Sequence, residues 1–470
     1  MSSFIDLSTT DIERSVRSAN SIANAWLLPR KTSAVKLHPK SAESSLLGLQ
    51  VFLDKWLLSV YSEGLLYLWD LRVSQSAIRC ASLDLGSERW TSFAAALEHD
   101  LNVIMIAMTS ASSQITKVYR VELRRSESVF SPNNFELLRI ISNPAGSSVV
   151  RAIDPGLQLV VFSTSDVVEV VKWRDDPEAL RFRVSLQTDD LEEMWNGIIA
   201  VRLVDPYILI FKTRSVELCP LSPTDTEGNN SNALHLVHRF PSTTFRDISC
   251  SDFLHPLESG SDDMKSLRLC FLAHDVLQGV FQYLIHIHFP MASHLAPAHL
   301  TSLDVECIGV YPMANNINIG AIRPLRGNTG LASPIMVPAR YESPAPSPLP
   351  TPTPTPSRHN LSVQGAGHGM LNPSARGFVS AVALGPQGKR AVWVERKRSN
   401  TKREVLVWGM DRGFDDDYIV DQNLMMDGKV VYVVGSYDLR EDLTHCAISE
   451  VSGLVILGNR TGDLFRLGLD

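Results

Sequence analysis

The two histidines His286 and His288 come nearest, in residue type and spacing, to a metal site. They stand two residues apart in the apolar run from Val280 to His288, so on a β-strand both imidazoles would lie on one face. A zinc site needs further ligands, and the neighbouring sequence shows none at a recognisable spacing. A polar strand face is therefore the favoured interpretation, and we predict no metal site.

Sequence motifs of enzymes are missing from the chain. It contains no G-x-S-x-G elbow, no Walker loop and no H-E-x-x-H. The stretch Gly365–Gly369 has the glycine content of a phosphate-binding loop, but no strand precedes it and no helix follows it. Gly385–Lys389 is interpreted as a turn between strands for the same reason. We predict no catalytic residue, no cofactor-binding residue and no cofactor.

A cluster of basic residues lies between two apolar strands. It comprises Arg396, Lys397 and Arg398, followed by Lys402 and Arg403. The favoured interpretation is a solvated turn. A patch for nuclear import or for an acidic partner stays open as the sharper alternative.

The cysteines are scattered, and none forms a C-x-x-C pair. Most lie in or beside predicted strands, where a free cysteine behaves as a small buried hydrophobic residue. We therefore predict neither structural zinc nor a disulfide framework. The six residues are Cys80, Cys219, Cys250, Cys270, Cys307 and Cys446.

The elements that would position any functional side chain are short strands, and the stretch Leu47–Leu71 shows them most clearly. It contains three apolar runs separated by turn-forming residues at Leu53–Lys55 and Ser62–Gly64, and it closes on the dipeptide Trp69-Asp70. This pattern predicts most of one blade of a β-propeller.

The same unit recurs about once every fifty residues. One blade cannot bury its own faces, so recurrence is what a propeller requires. An ordinary meander in another all-β fold is the alternative for any single copy. The seven copies begin at Leu47, Phe93, Val149, Ile198, Ile248, Phe378 and Thr444. Outer strands are predicted at 79–85, 135–141, 181–186, 234–239, 303–310 and 429–435.

The two ends of the chain are predicted to meet. The seventh copy ends at Leu467 with three strands, and a ring must either close or leave a sheet edge bare. We expect Ser33–Leu37 to supply the missing outer strand. Before it, Ile12, Val16, Ala19, Ala23 and Trp26 share one face of a helix that ends before Pro29. This helix is expected to pack on the outside of the ring, or else to join another module.

Residues 314–376 break the strand pattern. Their centre, 343–356, alternates proline with serine, threonine and alanine, which lack the apolar surface needed to offset the entropy of ordering. We predict a disordered insert rich in Pro, Ser and Thr. The residues before proline, such as Ser343 and Thr351, are candidate kinase targets or part of a groove-binding ligand, and an unregulated spacer is the simpler interpretation.

Composition and charge limit the kinds of partner and the cellular locations that we expect. The formal net charge of −7 gives no support to a nucleic-acid partner. No apolar run approaches the ~20 residues of a membrane span, and the N-terminus lacks the order of a signal peptide. We expect no membrane partner and a cytoplasmic or nuclear location.

Three stretches resemble a known family. They are Asp11–Pro29, the run ALGPQGKRAVWVER at 383–396, and EVSGLVILGNRTGD at 450–463. Together they resemble fungal F-box proteins with a C-terminal WD40-like region. The resemblance implies a propeller that recruits a ubiquitination target, and an F-box that docks Skp1 in a cullin-RING ubiquitin ligase.

An F-box itself is not recognised in this sequence. The residues before the first blade contain no Leu-Pro-x-Glu opening and are already assigned to a helix and a strand. Skp1 is therefore expected as a partner only if an F-box lies upstream. A truncated gene model and a propeller that has lost its ligase connection both stay open.

The sequence thus predicts an all-β protein, a seven-bladed WD40-like β-propeller. Its parts are a linker helix over 1–31, a propeller over 32–470 closed by residues 32–37, and a disordered insert at 314–376. The predicted function is a non-catalytic protein-protein interaction module that binds a protein partner, with a general scaffold as the alternative. A propeller enzyme is disfavoured because the predicted innermost strands offer mainly Arg151 and Arg202.

Overall fold

The structure is a computed structural model, and it describes most of the chain outside the predicted insert. The described residues are 9–37, 44–72, 77–86, 88–98, 102–123, 135–142, 148–165, 167–174, 181–185, 196–221, 235–240, 243–252, 255–257, 264–276, 278–290, 301–313, 377–397, 401–410 and 425–469. The interpretations of Gly365–Gly369, Arg398 and 314–376 fall outside them.

Within the described residues the chain begins with a helix, α1 (Thr9–Leu27), and a short strand, β1 (Val35–Leu37). Three four-stranded antiparallel sheets follow, and we call them blades 1 to 3. Blade 1 contains β2 (Leu46–Phe52), β3 (Trp56–Tyr61), β4 (Leu65–Asp70) and β5 (Ile78–Asp84). Blade 2 contains β6 (Trp90–Glu98), β7 (Val103–Ser110), β8 (Ile115–Glu122) and β9 (Phe135–Ser142). Blade 3 contains β10 (Val149–Asp154), β11 (Leu159–Ser163), β12 (Val167–Lys172) and β13 (Arg181–Ser185).

Four more sheets complete the set. Blade 4 contains β14 (Ile198–Val204), β15 (Tyr207–Lys212), β16 (Ser215–Pro220) and β17 (Leu236–Arg239). Blade 5 contains β18 (Phe245–Cys250), β19 (His255–Leu257), β20 (Met264–Asp275), β21 (Gly279–Pro290) and β22 (Ser302–Pro312). Blade 6 contains β23 (Gly377–Leu384), β24 (Arg390–Lys397), β25 (Lys402–Gly409) and β26 (Lys429–Gly435). Blade 7 contains β27 (Leu443–Ser449), β28 (Leu454–Asn459), β29 (Leu464–Gly468) and β1, and a short 3-10 helix (Leu439–Glu441) precedes it.

The seven sheets form a closed ring. The first strand of each blade contacts the first strand of the next blade, and β27 of blade 7 returns to β2 of blade 1. We call these first strands the innermost strands. The predicted all-β, seven-bladed propeller is therefore confirmed by the strand topology.

The seventh blade takes its outer strand from the other end of the chain. β1 pairs antiparallel with β29, with Val35 opposite Arg466 and Leu37 opposite Leu464. Leu37 is only 2% exposed, because its side chain packs between blades 7 and 1. Blade 7 thus has four strands like its neighbours.

The hydrophobic core is divided into seven clusters, one at each junction between neighbouring blades. A strand in the middle of a blade has a neighbouring blade on each face, so both faces are apolar. β24 shows this directly: Val392 and Val394 face blade 7, while Ala391 and Trp393 face blade 5. The continuous apolar runs in the sequence follow from this arrangement.

The Trp69-Asp70 dipeptide stabilises blade 1 from within. The Trp69 indole donates to the Ser59 hydroxyl on the neighbouring strand at 3.0 Å, and both residues are buried. Asp70 accepts from Arg72 through both carboxylate oxygens, at 2.8 and 2.6 Å, and the Arg72 guanidinium also covers the Trp56 ring. These polar groups are satisfied within the blade, which is what burial requires.

Blade 5 departs from the predicted pattern. The fifth copy was predicted to begin at Ile248, whereas its first strand, β18, begins at Phe245. β19 pairs with the start of β20, which lengthens the sheet. β20 and β21 have twelve residues each, so this blade is longer than the strand pattern of the other copies suggested.

Helix α1 is buried against the ring at its last turns. Ala25 and Trp26 are buried against blades 6 and 7, and Ile22 packs beside them. Val16, by contrast, is 54% exposed. Among the described residues, no helix combines the length and apolar character needed to cross a membrane.

Candidate functional site

The candidate site is one mouth of the central channel, at the end where the innermost strands finish. A cavity of 890 Å³ opens there. Its walls come from all seven blades, with residues from the last positions of the innermost strands and from the turns that follow. The lining comprises 50–54, 93–98, 151–156, 201–203, Asp252, Pro386 and Ile448. We call it the channel mouth.

A repeated β-bulge shapes the innermost strands. Near its start, each innermost strand has one extra residue with no partner on the second strand of the blade. A bulge bends the strand, increases its twist and redirects side chains. The extra residues are Leu47, Thr91, Arg151, Ile199, Arg246, Ser380 and Thr444.

Several innermost side chains bind the backbone of the next blade. The Gln50 amide donates to the Ala95 carbonyl at 3.2 Å, linking blades 1 and 2. The Ser380 hydroxyl donates to the Leu443 carbonyl at 2.8 Å, linking blades 6 and 7. Such bonds hold the mouth in one geometry, so a ligand would meet a preorganised surface.

The arginines that the sequence singled out serve the same structural purpose. Arg151 donates to the Ser163 hydroxyl at 2.9 Å and to the carbonyls of Ile199 and Ile198 at 2.9 and 3.0 Å. Burial lowers the pKa of Arg151. Arg202 donates to the Asp252 carbonyl at 3.1 Å and lies 3.8 Å from its carboxylate. Both arginines therefore connect neighbouring blades at the mouth.

Acidic residues at the ends of innermost strands outnumber the two arginines, Arg151 and Arg202, in the lining of the mouth. Asp54, Glu98, Asp154 and Asp252 all line it. Asp54 accepts from Ser449 at 3.0 Å and from the Val451 N–H at 3.2 Å, so it also ties blade 1 to blade 7. Glu98 has no hydrogen bond or ion pair within the described part of the chain. The mouth thus offers at least one carboxylate to an incoming cation.

Sequence reasoning missed these acids as a group. The signal is their recurrence, because an acid follows or ends the innermost strand in blades 1 to 5 and in blade 7. The residues are Asp54, Glu98, Asp154, Asp205, Asp252 and Glu450. Asp54 was interpreted only as part of the turn Leu53–Lys55. Asp154 stabilises a turn as well, since its carboxylate accepts from the Leu157 N–H at 2.9 Å.

The predicted polar strand face carries His286 and His288 on β21. Their rings stack with centroids 6.5 Å apart, and the His288 Nδ1 lies 2.6 Å from the Ser266 hydroxyl. Across the described residues, no group of three or more His, Cys, Asp or Glu residues has the arrangement of a metal site.

The basic turn of blade 6 differs from the prediction of a solvated turn. Arg403 is only 2% exposed, and it is paired with Asp442. Lys397 pairs with Glu404 at 2.9 Å. The solvated interpretation is wrong for Arg403, because the 3-10 helix and the start of blade 7 cover this side chain. The sequence showed the positive charge of Arg403 but not its partner, because Asp442 lies 39 residues away along the chain.

The chain is similar to two solved structures. Raptor of Chaetomium thermophilum aligns with 7% identity and a TM-score of 0.45, over 91% of this chain and 29% of the Raptor chain. The C-terminal WD40 domain of Sif2 aligns with 8% identity and a TM-score of 0.44, over 94% of this chain and 99% of that domain. No protein-family model matches the chain, and no curated protein sequence does. The F-box resemblance therefore receives no support from these comparisons.

Proposed function

We propose that this protein is a non-catalytic protein-interaction module whose channel mouth receives a basic segment of a partner protein. The observation that carries the proposal is the recurrence of acids at the ends of the innermost strands, around a cavity of 890 Å³. A cavity of this size accommodates several side chains of an extended segment. Acidic walls favour lysine and arginine side chains over other segments.

Glu98 is the most suitable residue for a test. It lines the mouth at the end of β6, and the described residues do not engage its carboxylate, so replacing it leaves the ring intact. Glu136 is its matched control, because it lies on β9 at the outside of the same blade and its side chain is 65% exposed.

The test measures binding of a fluorescein-labelled hexalysine peptide to the full chain by fluorescence anisotropy at low and physiological salt. We expect Glu98→Lys to weaken binding by about tenfold, since reversal of one charge at a partly enclosed site costs on the order of 1–2 kcal/mol. Glu136→Lys should bind as the wild type does. Equal binding by all three proteins, or no binding by the wild type, would contradict the proposal.

The same three proteins can identify a natural partner. Affinity purification with wild type, Glu98→Lys and Glu136→Lys should recover a protein with the wild type and Glu136→Lys that Glu98→Lys loses. A partner recovered equally by all three variants binds elsewhere on the molecule.

A role in a ubiquitin ligase is a finer form of this proposal, and it is supported only by the resemblance of three stretches of the sequence. It requires an F-box in the same polypeptide or in a bound partner. Co-purification with Skp1, followed by stabilisation of the propeller's partner when Skp1 is depleted, is the expected result. A general scaffold would bind the same partner without changing its lifetime.

A further inference from the structure

Three arginines converge on one buried carboxylate where blades 6 and 7 meet, at the end of the ring opposite the channel mouth. Asp442 is 7% exposed. It pairs with Arg403 through Oδ1, and its Oδ2 lies 3.2 Å from Arg396 and 3.8 Å from Arg460. One negative charge thus faces three positive charges, and two of those are not balanced by Asp442.

Arg403 is engaged mainly by the protein itself. Besides Asp442, its donors bind the carbonyls of Thr401 at 3.1 Å, of Ser436, and of Asp438 at 3.3 Å. These bonds fix the loop that leads into the 3-10 helix. Arg403 is therefore a positioning residue, and it orients Asp442 at the base of the cluster.

Arg396 and Arg460 are the two arginines that a ligand can reach. Their side chains are 32% and 59% exposed. Because both approach the same oxygen of Asp442, the two contacting nitrogens lie within about 7 Å of one another. A guanidinium has five N–H donors, and the contact with Asp442 occupies one nitrogen of each, so both keep donors for a second oxyanion.

The neighbouring acids do not cancel this surplus. Asp463 pairs with Lys36 at 3.0 Å, and Asp438 caps the 3-10 helix by accepting from the Arg440 N–H at 2.8 Å. Arg440 offsets the charge of only one of the two acids Asp438 and Glu441. The cluster and its neighbours therefore keep a surplus of one positive charge.

Exposed apolar groups border the cluster. Tyr437 is 91% exposed and Leu439 is 50% exposed, on the loop that Arg403 fixes. Beside them a groove of 440 Å³ runs between blades 6 and 7, and its lining combines Tyr432, Val434 and Phe465 with the acids Asp438, Glu441 and Asp463. A rigidly held, exposed tyrosine beside a groove has the character of an interface anchor.

We propose that Arg396 and Arg460 bind carboxylates of an acidic, extended segment of a partner protein, and that the exposed Tyr437 and Leu439 contact an apolar side chain of the same segment. The formal net charge of the chain is −7, so its overall field repels an acidic segment. Attraction must therefore arise locally, and two arginines with spare donors supply it in the bidentate geometry that carboxylates prefer.

The experiment uses the full chain and a fluorescein-labelled peptide of four glutamates around one leucine. Fluorescence anisotropy compares the wild type, Arg396→Gln/Arg460→Gln, and the control Arg17→Gln/Arg139→Gln. The control makes the same change in net charge at exposed positions on α1 and β9. We expect the first double variant to weaken binding by about tenfold or more, and the control to change it less than about twofold.

Two further measurements make the result specific. Tyr437→Ala should weaken binding of this peptide and leave binding of a leucine-free glutamate peptide unchanged. Both double variants should unfold at the wild-type temperature, because Asp442 keeps Arg403. No binding by the wild type, or equal binding by the two double variants, would overturn the proposal.

Hexalysine binding should be the same in Arg396→Gln/Arg460→Gln as in the wild type, so failure of this proposal is distinguishable from failure of the proposal for the channel mouth.

Discussion

Glu450 is a carboxylic acid buried where three parts of the molecule meet. Its carboxylate accepts from the Gln387 N–H of blade 6 at 2.8 Å, and its carbonyl accepts from the Trp26 indole of α1 at 3.1 Å. Asp54 of blade 1 lies close enough to repel its charge. Burial is the largest cause that raises the pKa of Glu450 from 4.5 to about 7.

This pKa predicts how stability depends on pH. Between pH 4.5 and about 7 the folded protein holds a proton that the unfolded chain has lost, so the free energy of unfolding falls as pH rises through this window. Glu450→Gln mimics the protonated acid. We expect the variant to be more stable than the wild type at pH 8, by on the order of 2 kcal/mol, and nearly equal to it at pH 4.5. Thermal unfolding at both pH values measures the difference.

Glu441→Gln provides the control, because Glu441 is exposed on the 3-10 helix. It should leave the difference between pH 4.5 and pH 8 as it is in the wild type. A Glu450→Gln protein that is less stable than the wild type at pH 8 would show that the ionised carboxylate is required for the contact with Gln387.

Single residues also mark where sequence reasoning fell short. The turn at Gly385–Lys389 was predicted from its residues, and Gly388 adopts a positive φ of 74° there, which glycine tolerates. The burial of Arg403 could not be predicted, because it depends on Asp442 and on carbonyls brought near by the ring. Long-range ion pairs leave no local periodicity in the sequence. The acids of the channel mouth differ in this respect, because their recurrence at the ends of the innermost strands is visible in the sequence once the blades are aligned.

At the scale of elements, helix α1 is held to the ring by a few residues. Trp26 is 1% exposed, in the cluster shared by blades 6 and 7, whereas Val16 on the same helix is 54% exposed. The predicted apolar stripe is thus buried at one end only. The stripe was identified from its spacing, but the spacing does not show which turns meet the ring.

Trp26→Ala should release the helix. Truncation of a buried tryptophan typically costs 3–5 kcal/mol, and we expect much of this cost to appear as undocking of α1, since few other side chains hold it. Hydrogen exchange of 16–27 should become faster in Trp26→Ala and stay unchanged in Val16→Ala. Equal exchange in both variants would mean that contacts other than Trp26 secure the helix.

Strands were predicted better than any other element. The outer strand expected at 429–435 is β26 (Lys429–Gly435), and the one expected at 135–141 is β9 (Phe135–Ser142). Apolar runs between turn residues sufficed for most strands, because the strands in the middle of a blade contribute side chains to the clusters between blades. The bulges in the innermost strands were not predicted, since one unpaired residue is visible only when the partner strand is aligned with it.

At the scale of the whole molecule, seven junctions between neighbouring blades stabilise the ring. One of them joins two blades that are not consecutive in the chain. Six junctions join blades that are consecutive in the chain. The seventh joins blade 7 to blade 1 and relies on β1, which has three residues in register with β29. A propeller stabilised by contacts between neighbours is sensitive to its closure, because opening one junction exposes two apolar faces.

Substitutions at two residues of β1 distinguish two roles of this strand: closing the junction between blades 7 and 1, and completing the sheet of blade 7. Leu37 is 2% exposed and packs with residues of blades 1 and 7, whereas Val35 on the same strand is 46% exposed. Leu37→Asp places an unpaired charge in the junction, and we expect a loss of about 3 kcal/mol or more. Val35→Asp makes the same chemical change at the surface and should cost less than about 1 kcal/mol.

Denaturant unfolding gives the stabilities, and hydrogen exchange of β29 and β2 shows where the ring opens. In Leu37→Asp, exchange should accelerate in both strands, which belong to blades 7 and 1, while the strands of blade 4 on the far side stay protected. Acceleration confined to β29 would mean that β1 only completes its own sheet. Equal losses for Leu37→Asp and Val35→Asp would show that the junction between the first and last blades does not depend on the Leu37 side chain.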